Sequence, residues 1–197
     1  MKASEATGEV AKLRATLGDA ELRALGAARF ERMRQAVDAF FGVHADQVPE
    51  VCRAMARRFH AGGRLLSWGG AAAGSDAWHV AVEFVHPVIV GKRALPALVL
   101  GEEPLAHLAL LGRPVDIVLM IGTGGVGGTR ERLLSLARQR GLLTLSLGGR
   151  AADTEPRADF SFGVADDDPT VVQEVHETLY HVLWELVHVF LEQPESL

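Results

Sequence analysis

With 197 residues, 48% hydrophobic content and a mean hydropathy of +0.14, the chain can bury one good core and gives no sign of a second domain. Its formal net charge of -5 and pI near 5.9 exclude the basic footprint of a nucleic-acid binder. The single cysteine, Cys52, excludes an internal disulfide and fits a reducing cytoplasm, and no apolar stretch reaches the length of a transmembrane helix or forms a signal-peptide core.

Residues 1 to about 20, rich in Ala, Glu and Lys, read as an N-terminal extension, and residues 21–197 as one domain. From Leu22 to Phe41 the apolar positions (Leu22, Leu25, Ala28, Phe30, Met33, Val37, Phe40, Phe41) predict a helix packed on a sheet or on a neighbouring subunit. Val48 to Phe59 is a second helical run, in which Cys52 reads as a small buried hydrophobe and not as a reactive thiol. Arg64-Leu-Leu-Ser-Trp68 then runs into small residues that open a helix. This is a strand, a tight turn and a helix N-terminus whose unpaired N–H groups can face an anion. The new helix carries His79 and Glu83, spaced i, i+4 and so on one face, although such pairs also occur on many solvated helices.

Ala94 to Leu100 reads as the next strand, and only Gly101 to Pro114 separates it from another beginning at Val115. That strand ends in the glycine-rich turn Gly122 to Gly128, and Thr129 to Arg140 follows with a helical pattern (Leu133, Leu134, Leu136, Ala137). Glycine-rich turns after parallel strands are where α/β sheets bind ligands. Gly141 to Leu147 reads as a strand closed by Gly148 and Gly149, and Asp159 to Val164 as a short edge strand. Asp166-Asp-Asp-Pro169 precedes a long helix from about Thr170 to Leu191; the acidic run is explained by capping and dipole compensation, with no metal role. Alternating strands and helices predict an α/β fold with a mostly parallel sheet.

The last helix has a wide apolar face (Val175, Leu179, Val182, Leu183, Leu186, Val189, Phe190), which is core or oligomer interface. Together with Leu22 to Phe41 it offers more apolar surface than one sheet can cover, which predicts a closed homo-oligomer. Gln173 and His181 stand two turns apart, so their side chains must converge on something between them, and Glu177 midway is a competing ligand. Joined with His79 and Glu83 they offer two imidazoles, a carboxylate and an amide, a set that suits zinc better than magnesium or calcium. His44, His60, His86, His107, His176 and His188 read as ordinary surface or core residues.

These residues resemble the sugar isomerase (SIS) domain family, and within it the phosphoheptose isomerase branch. That branch carries Gly-Asn-Gly-Gly-Ser-Ala-Ala-Asp-Ala-Gln-His with a Glu four residues on, which falls without a gap on Gly69 to His79 and reaches Glu83. Ser-Thr-Ser-Gly-Asn-Ser falls on Gly122 to Gly127, and Gln-Glu-(Ile/Val)-His, with a His eight residues after the Gln, on Gln173 to His181. The resemblance covers about residues 35 to 192. It implies a three-layer α/β/α sandwich, assembled as a tetramer with the site at a subunit interface. It also implies one zinc per chain on His79, Glu83, Gln173 and His181, with Glu83 and His181 as the acid/base pair, and substrate contacts from Thr123, Gly124, Gly125 and Asp76. Moving a carbonyl between adjacent carbons needs a base for the α proton and an acid for the oxygen, and a carboxylate with an imidazole can be tuned to both.

Departures from the pattern point to a changed substrate or to none. Gly122, Gly124 and Gly127 stand where the family's phosphate loop has serines, Ala73 where it has a fourth, Gly70 for its asparagine, Trp78 for its glutamine and Pro87 for an arginine. Each lost hydroxyl removes a hydrogen bond to a charged group worth about 1.5–3 kcal/mol, leaving backbone N–H groups of the loop as the anion donors. The stretch Gly101 to Pro114 is shorter than the family's, so the pocket is expected to be more open, or filled by Trp68 and Trp78. The expected function is a cytoplasmic metal-binding isomerase of a sugar or sugar phosphate. The alternative is a non-catalytic SIS protein that keeps the metal site and binds a ligand.

Overall fold

The computed structural model describes residues 18–87, 89–122, 128–150, 158–193 and 195. The chain groups into two compact units, Met1–Gln35 and Ala36–Leu197. Helix α1 (Asp19–His44) begins in the first and ends in the second. In the first unit Leu22, Leu25 and Phe30 are exposed. In the second unit Phe40 is buried, with Ala36, Val37 and Phe41 packed beside it.

The second unit continues with α2 (Gln47–His60), β1 (Leu65–Gly69), a 3₁₀ turn (Ala71–Ala73), α3 (Gly74–Val85), β2 (Ala97–Val99), α4 (Pro104–Leu111) and β3 (Ile117–Ile121). It ends with α5 (Thr129–Gln139), β4 (Leu143–Gly148), β5 (Phe160–Gly163) and α6 (Pro169–Glu192). The five described strands are all parallel, in the order β2-β1-β3-β4-β5. The chain leaves β1 toward β2 and returns to β3 on β1's other side, which creates a crevice at the carboxyl ends of these strands.

Three layers follow from the period-two alternation of side chains on strands. Leu65, Ile117, Leu119 and Ile121 face α2, α3 and α6, whereas Leu66, Trp68, Val118 and Met120 face α4 and α5. A strand buried on both faces needs an unbroken apolar run, and Ile-Val-Leu-Met-Ile in β3 is fully buried. The α/β/α sandwich expected from the sequence is the one observed. No helix among the described residues is long and apolar enough to cross a membrane.

Two elements differ from expectation. The strand expected over Ala94 to Leu100 shrinks to Ala97–Val99, because Pro96 lacks an N–H to pair and only its carbonyl is used, by the Leu65 N–H at 2.9 Å. The segment read only as a shortened cover contains α4, started by Pro104 and seated through buried Leu108. Its run Pro-Leu-Ala-His-Leu-Ala-Leu-Leu is apolar nearly all round, so no periodicity announces it. The capping reading of the acidic run holds: the Asp168 carboxylate accepts from the Thr170 N–H at 3.0 Å and caps α6. Cys52 is fully buried as expected, and burial pushes its thiol up to about 12.

The amino-terminal rim of the sheet is fastened by a fully buried carboxylate, Asp116. It accepts from the backbone N–H of Arg64 at 2.9 Å and of Arg113 at 3.0 Å, and from their guanidinium groups at 2.7 and 3.0 Å. Burial works to raise its pKa, but the hydrogen bonds from Arg64 and Arg113 outweigh it and hold the carboxyl below the usual range.

Candidate active site

Helix α3 is set against the sheet by two local features. At Gly69 an added Cβ would lie 1.9 Å from the Ala73 carbonyl oxygen, so only glycine lets β1 turn so sharply into the helix. Ser67, buried in β1, donates its hydroxyl to the Ala77 carbonyl at 2.8 Å and pins the first turns of α3. Val80 and Phe84 of α3, and Val175, Leu179 and Leu183 of α6, sink into the same core. The helices pack together, and side chains beside these buried stripes meet at their seam.

His79, Glu83 and His181 meet there. Glu83 Oε1 lies 3.4 Å from His79 Nε2 and 3.8 Å from His181 Nε2, and the ring centroids of the two histidines are 5.3 Å apart. One ligand atom from each residue can be chosen so that all three lie within 4.8 Å of one another. Two donor atoms bound at ~2.0–2.2 Å to one tetrahedral ion stand ~3.3–3.6 Å apart, so Glu83 is near ligand spacing from both imidazoles and the trio would close by up to about an ångström around an ion. Side-chain exposures of 39% for His79, 49% for His181 and 17% for Glu83 leave the cluster open on one side.

Gln173, the fourth expected ligand, donates its amide nitrogen to Asp76 Oδ1 at 2.7 Å. A carboxylate only accepts, so the contact fixes the amide orientation and leaves Oε1, the atom able to bind a metal, turned from Asp76. Asp76, expected to touch substrate, is buried. Burial raises its pKa, opposed by the Gln173 hydrogen bond and by nearby His79. Glu177 is not a member of the three-ligand group.

Sequence reasoning missed Tyr180. Fully buried, its hydroxyl lies 2.8 Å from His79 Nδ1, and its ring meets the His79 and His181 rings edge-on at 5.2 Å each. Burial, followed by the negative charges of Glu177, Asp76 and Glu83, pushes the phenol above its ordinary pKa, so it stays a neutral O–H. The signal was available: seven residues after Gln173, Tyr180 returns to nearly the same helix face.

Beside the cluster a cleft of about 530 Å³ opens at the carboxyl ends of β1 and β2, bounded by Gly69, Gly70, Gly101, Glu102 and Thr129. Trp68 and Trp78 both line it without filling it, and none of its described lining residues is a cation. Trp78 and His79 are neighbours on α3, so the cleft and the cluster flank one helix. Thr123, Gly124, Gly125 and Gly127 lie outside the described residues. At the loop's edge the Gly122 N–H is already taken by the Leu147 carbonyl at 3.0 Å. Arg130, buried just beyond the loop, donates to Ser146 Oγ and to the Leu147 carbonyl.

The remaining buried histidines are structural, as expected. His176 meets the Gly148 carbonyl at 3.1 Å, and burial, with Arg130 nearby, lowers its pKa to about 4 and keeps the ring neutral. His188 sits between the carbonyls of Trp184 and Arg93 at 2.8 and 2.9 Å.

The phosphoheptose isomerase of Solidesulfovibrio magneticus is 33% identical to this chain over 168 residues, covering 77% of this chain and 82% of that protein. The chain belongs to the phosphoheptose isomerase family. Membership makes it an enzyme of the isomerase class. The phosphoheptose isomerase of Thermodesulfovibrio yellowstonii is 27% identical over 179 residues, covering 82% of this chain and 89% of that one. No protein-family model matches the chain. Among solved structures, the phosphoheptose isomerase of Francisella tularensis superposes with a TM-score of 0.74 at 20% identity, covering 85% of this chain and 97% of that one. The Neisseria gonorrhoeae enzyme gives 0.72 at 20% identity, covering 84% and 98%. These two superpositions speak for the fold alone.

Proposed function

We propose that the chain is a cytoplasmic, zinc-dependent isomerase that moves a carbonyl between adjacent carbons of a sugar phosphate, with a looser hold on phosphate than its relatives have. The observation that carries this reading is Glu83 Oε1 standing between the two imidazole Nε2 atoms. His79, Glu83, Gln173 and His181 would hold the ion, and the nitrogen and oxygen donors on them fit zinc. Bound there, zinc would supply Lewis-acid polarisation of the substrate's carbonyl. Glu83, with one oxygen turned to the imidazoles, has its second oxygen to take the proton α to the carbonyl. His181, the most exposed of the three, delivers a proton from the ring nitrogen not on the ion to the carbonyl oxygen as the enediol forms; protonated Glu83 then gives its proton to the former carbonyl carbon while His181 takes the proton of the hydroxyl on the carbon first deprotonated, which restores both groups. The relatives, each named an isomerase, favour this enzyme over a non-catalytic sugar-binding protein.

The substrate reading rests on the cleft. Two tryptophans and one carboxylate, with no cation among the described lining residues, suit a sugar held through its body more than through its phosphate. Elemental analysis tests the metal: the purified protein is expected to carry about one zinc per chain, and a His79→Ala, His181→Ala double variant next to none. Equal metal content in the two would overturn the ligand assignment.

The assembly is a homotetramer in this reading. Trp78, Val82 and Val85 form an exposed apolar stripe along α3, continued by exposed Ile89 and Val90, beside a cluster that is itself open on one side. Sedimentation equilibrium at micromolar concentration is expected to give a single species four times the mass of the chain. A monomer at that concentration would contradict the assembly.

A further inference from the structure

We propose that Tyr180 is a positioning residue for His79, accepting its Nδ1–H and thereby presenting the Nε2 lone pair to the metal. The inference rests on the zinc reading and adds a residue of this chain to it. A neutral imidazole carries one proton, and a ring that ligates through Nε2 must carry it on Nδ1. That proton needs an acceptor where the ring is packed against another helix. Among the described contacts Tyr180 supplies it, with its hydroxyl oxygen 2.8 Å from Nδ1. The opposite nitrogen, Nε2, is the one that faces Glu83 at 3.4 Å, so the two ends of the ring are addressed by different partners in the order ligation requires.

The placement is rigid. Tyr180 has no exposed surface, and its ring packs edge-on against both histidine rings. It lies on α6 and His79 on α3, so the contact sets the ligand of one helix from the other. Partners of this kind orient the ring and raise the basicity of the ligating nitrogen. Asp76 treats Gln173 in the same way in the opposite direction, a residue of α3 setting a residue of α6.

Tyr180→Phe tests the idea, because phenylalanine keeps the ring contacts and removes only the oxygen. Zinc affinity is measured by competition with a chromophoric chelator for the wild type and for Y180F. Y180F is expected to bind zinc about 10–100-fold more weakly, while the thermal midpoint of the metal-free protein stays where it was. A residue that only packs would move the midpoint and leave the affinity alone. The wild type offers a second readout that needs no substitution: zinc loading should bring out a slowly exchanging, downfield His79 Nδ1–H resonance. Affinities equal within twofold, or zinc-loaded protein whose His79 proton sits on Nε2, would overturn the role of Tyr180 while leaving the zinc site standing. A wild type that binds no zinc would overturn both.

Discussion

Replacing Glu83 with glutamine is expected to abolish isomerisation, lowering kcat by about 10²–10⁴-fold, the usual worth of a positioned general base. Glutamine has nearly the same shape, so the seam between α3 and α6 should stay packed, but its amide cannot take a proton from carbon. Glu83 is also the residue that both imidazoles approach, and at 17% side-chain exposure it is the most sheltered of the three. The readout is incorporation of solvent deuterium at the carbon next to the carbonyl of sedoheptulose 7-phosphate, followed at millimolar sugar because the loop has glycine at the three serine positions. Exchange in E83Q within tenfold of the wild type would remove Glu83 from the chemistry. A wild type that exchanges no proton on the phosphorylated or the unphosphorylated heptose would remove the isomerase reading of the substrate.

Asp116→Ala is expected to lower stability by about 3–4 kcal/mol without touching the site. The substitution leaves the Arg64 and Arg113 N–H groups without their acceptor, at ~1–3 kcal/mol for each buried donor, and takes the counter-charge from two guanidinium groups. Both arginines are partly exposed and can turn to water, which keeps the loss near the lower end for a broken buried pair. For a domain of this size that is a fall in Tm of about 6–16 °C. The pH dependence has a definite sign. A carboxyl whose folded pKa is depressed contributes stability that is complete above its unfolded value of about 3.9 and is lost as pH falls through the folded value. The gap between wild type and D116A should therefore be full at pH 7 and close in acid. A shift under about 2 °C at pH 7, or a gap that widens in acid, would show that the arginines do not depend on this carboxylate.

Much of the architecture was legible because each layer is signalled by its own period. Ile117 to Ile121 is a continuous apolar run ending at Gly122, which only a strand covered on both faces shows, and Gly141 to Leu147 is apolar but for the small hydroxyl residues Thr144 and Ser146 and closes at Gly148. Helix α4 was not legible, because an element apolar on nearly every side carries no phase to detect. The same physics explains the site. His79, Glu83 and His181 could be picked out because helical spacing brings equivalent faces together, and the fold brings them to one point. Tyr180 escaped because a tyrosine in an apolar stripe reads as core, and its hydroxyl acquires a role only once α3 lies across it. Asp116 escaped for a similar reason: one acid three residues after Arg113 looks like surface until the parallel pairing of β1 and β3 brings Arg64 to it and buries it.

Since every described strand points the same way, Asp116 and the cleft are held apart by the length of β3, five residues and so about 16 Å. The two rims can therefore have separate histories. A change at the carboxyl rim, such as serine to glycine in the loop or glutamine to Trp78, alters what is recognised and leaves the fastening at the far rim intact.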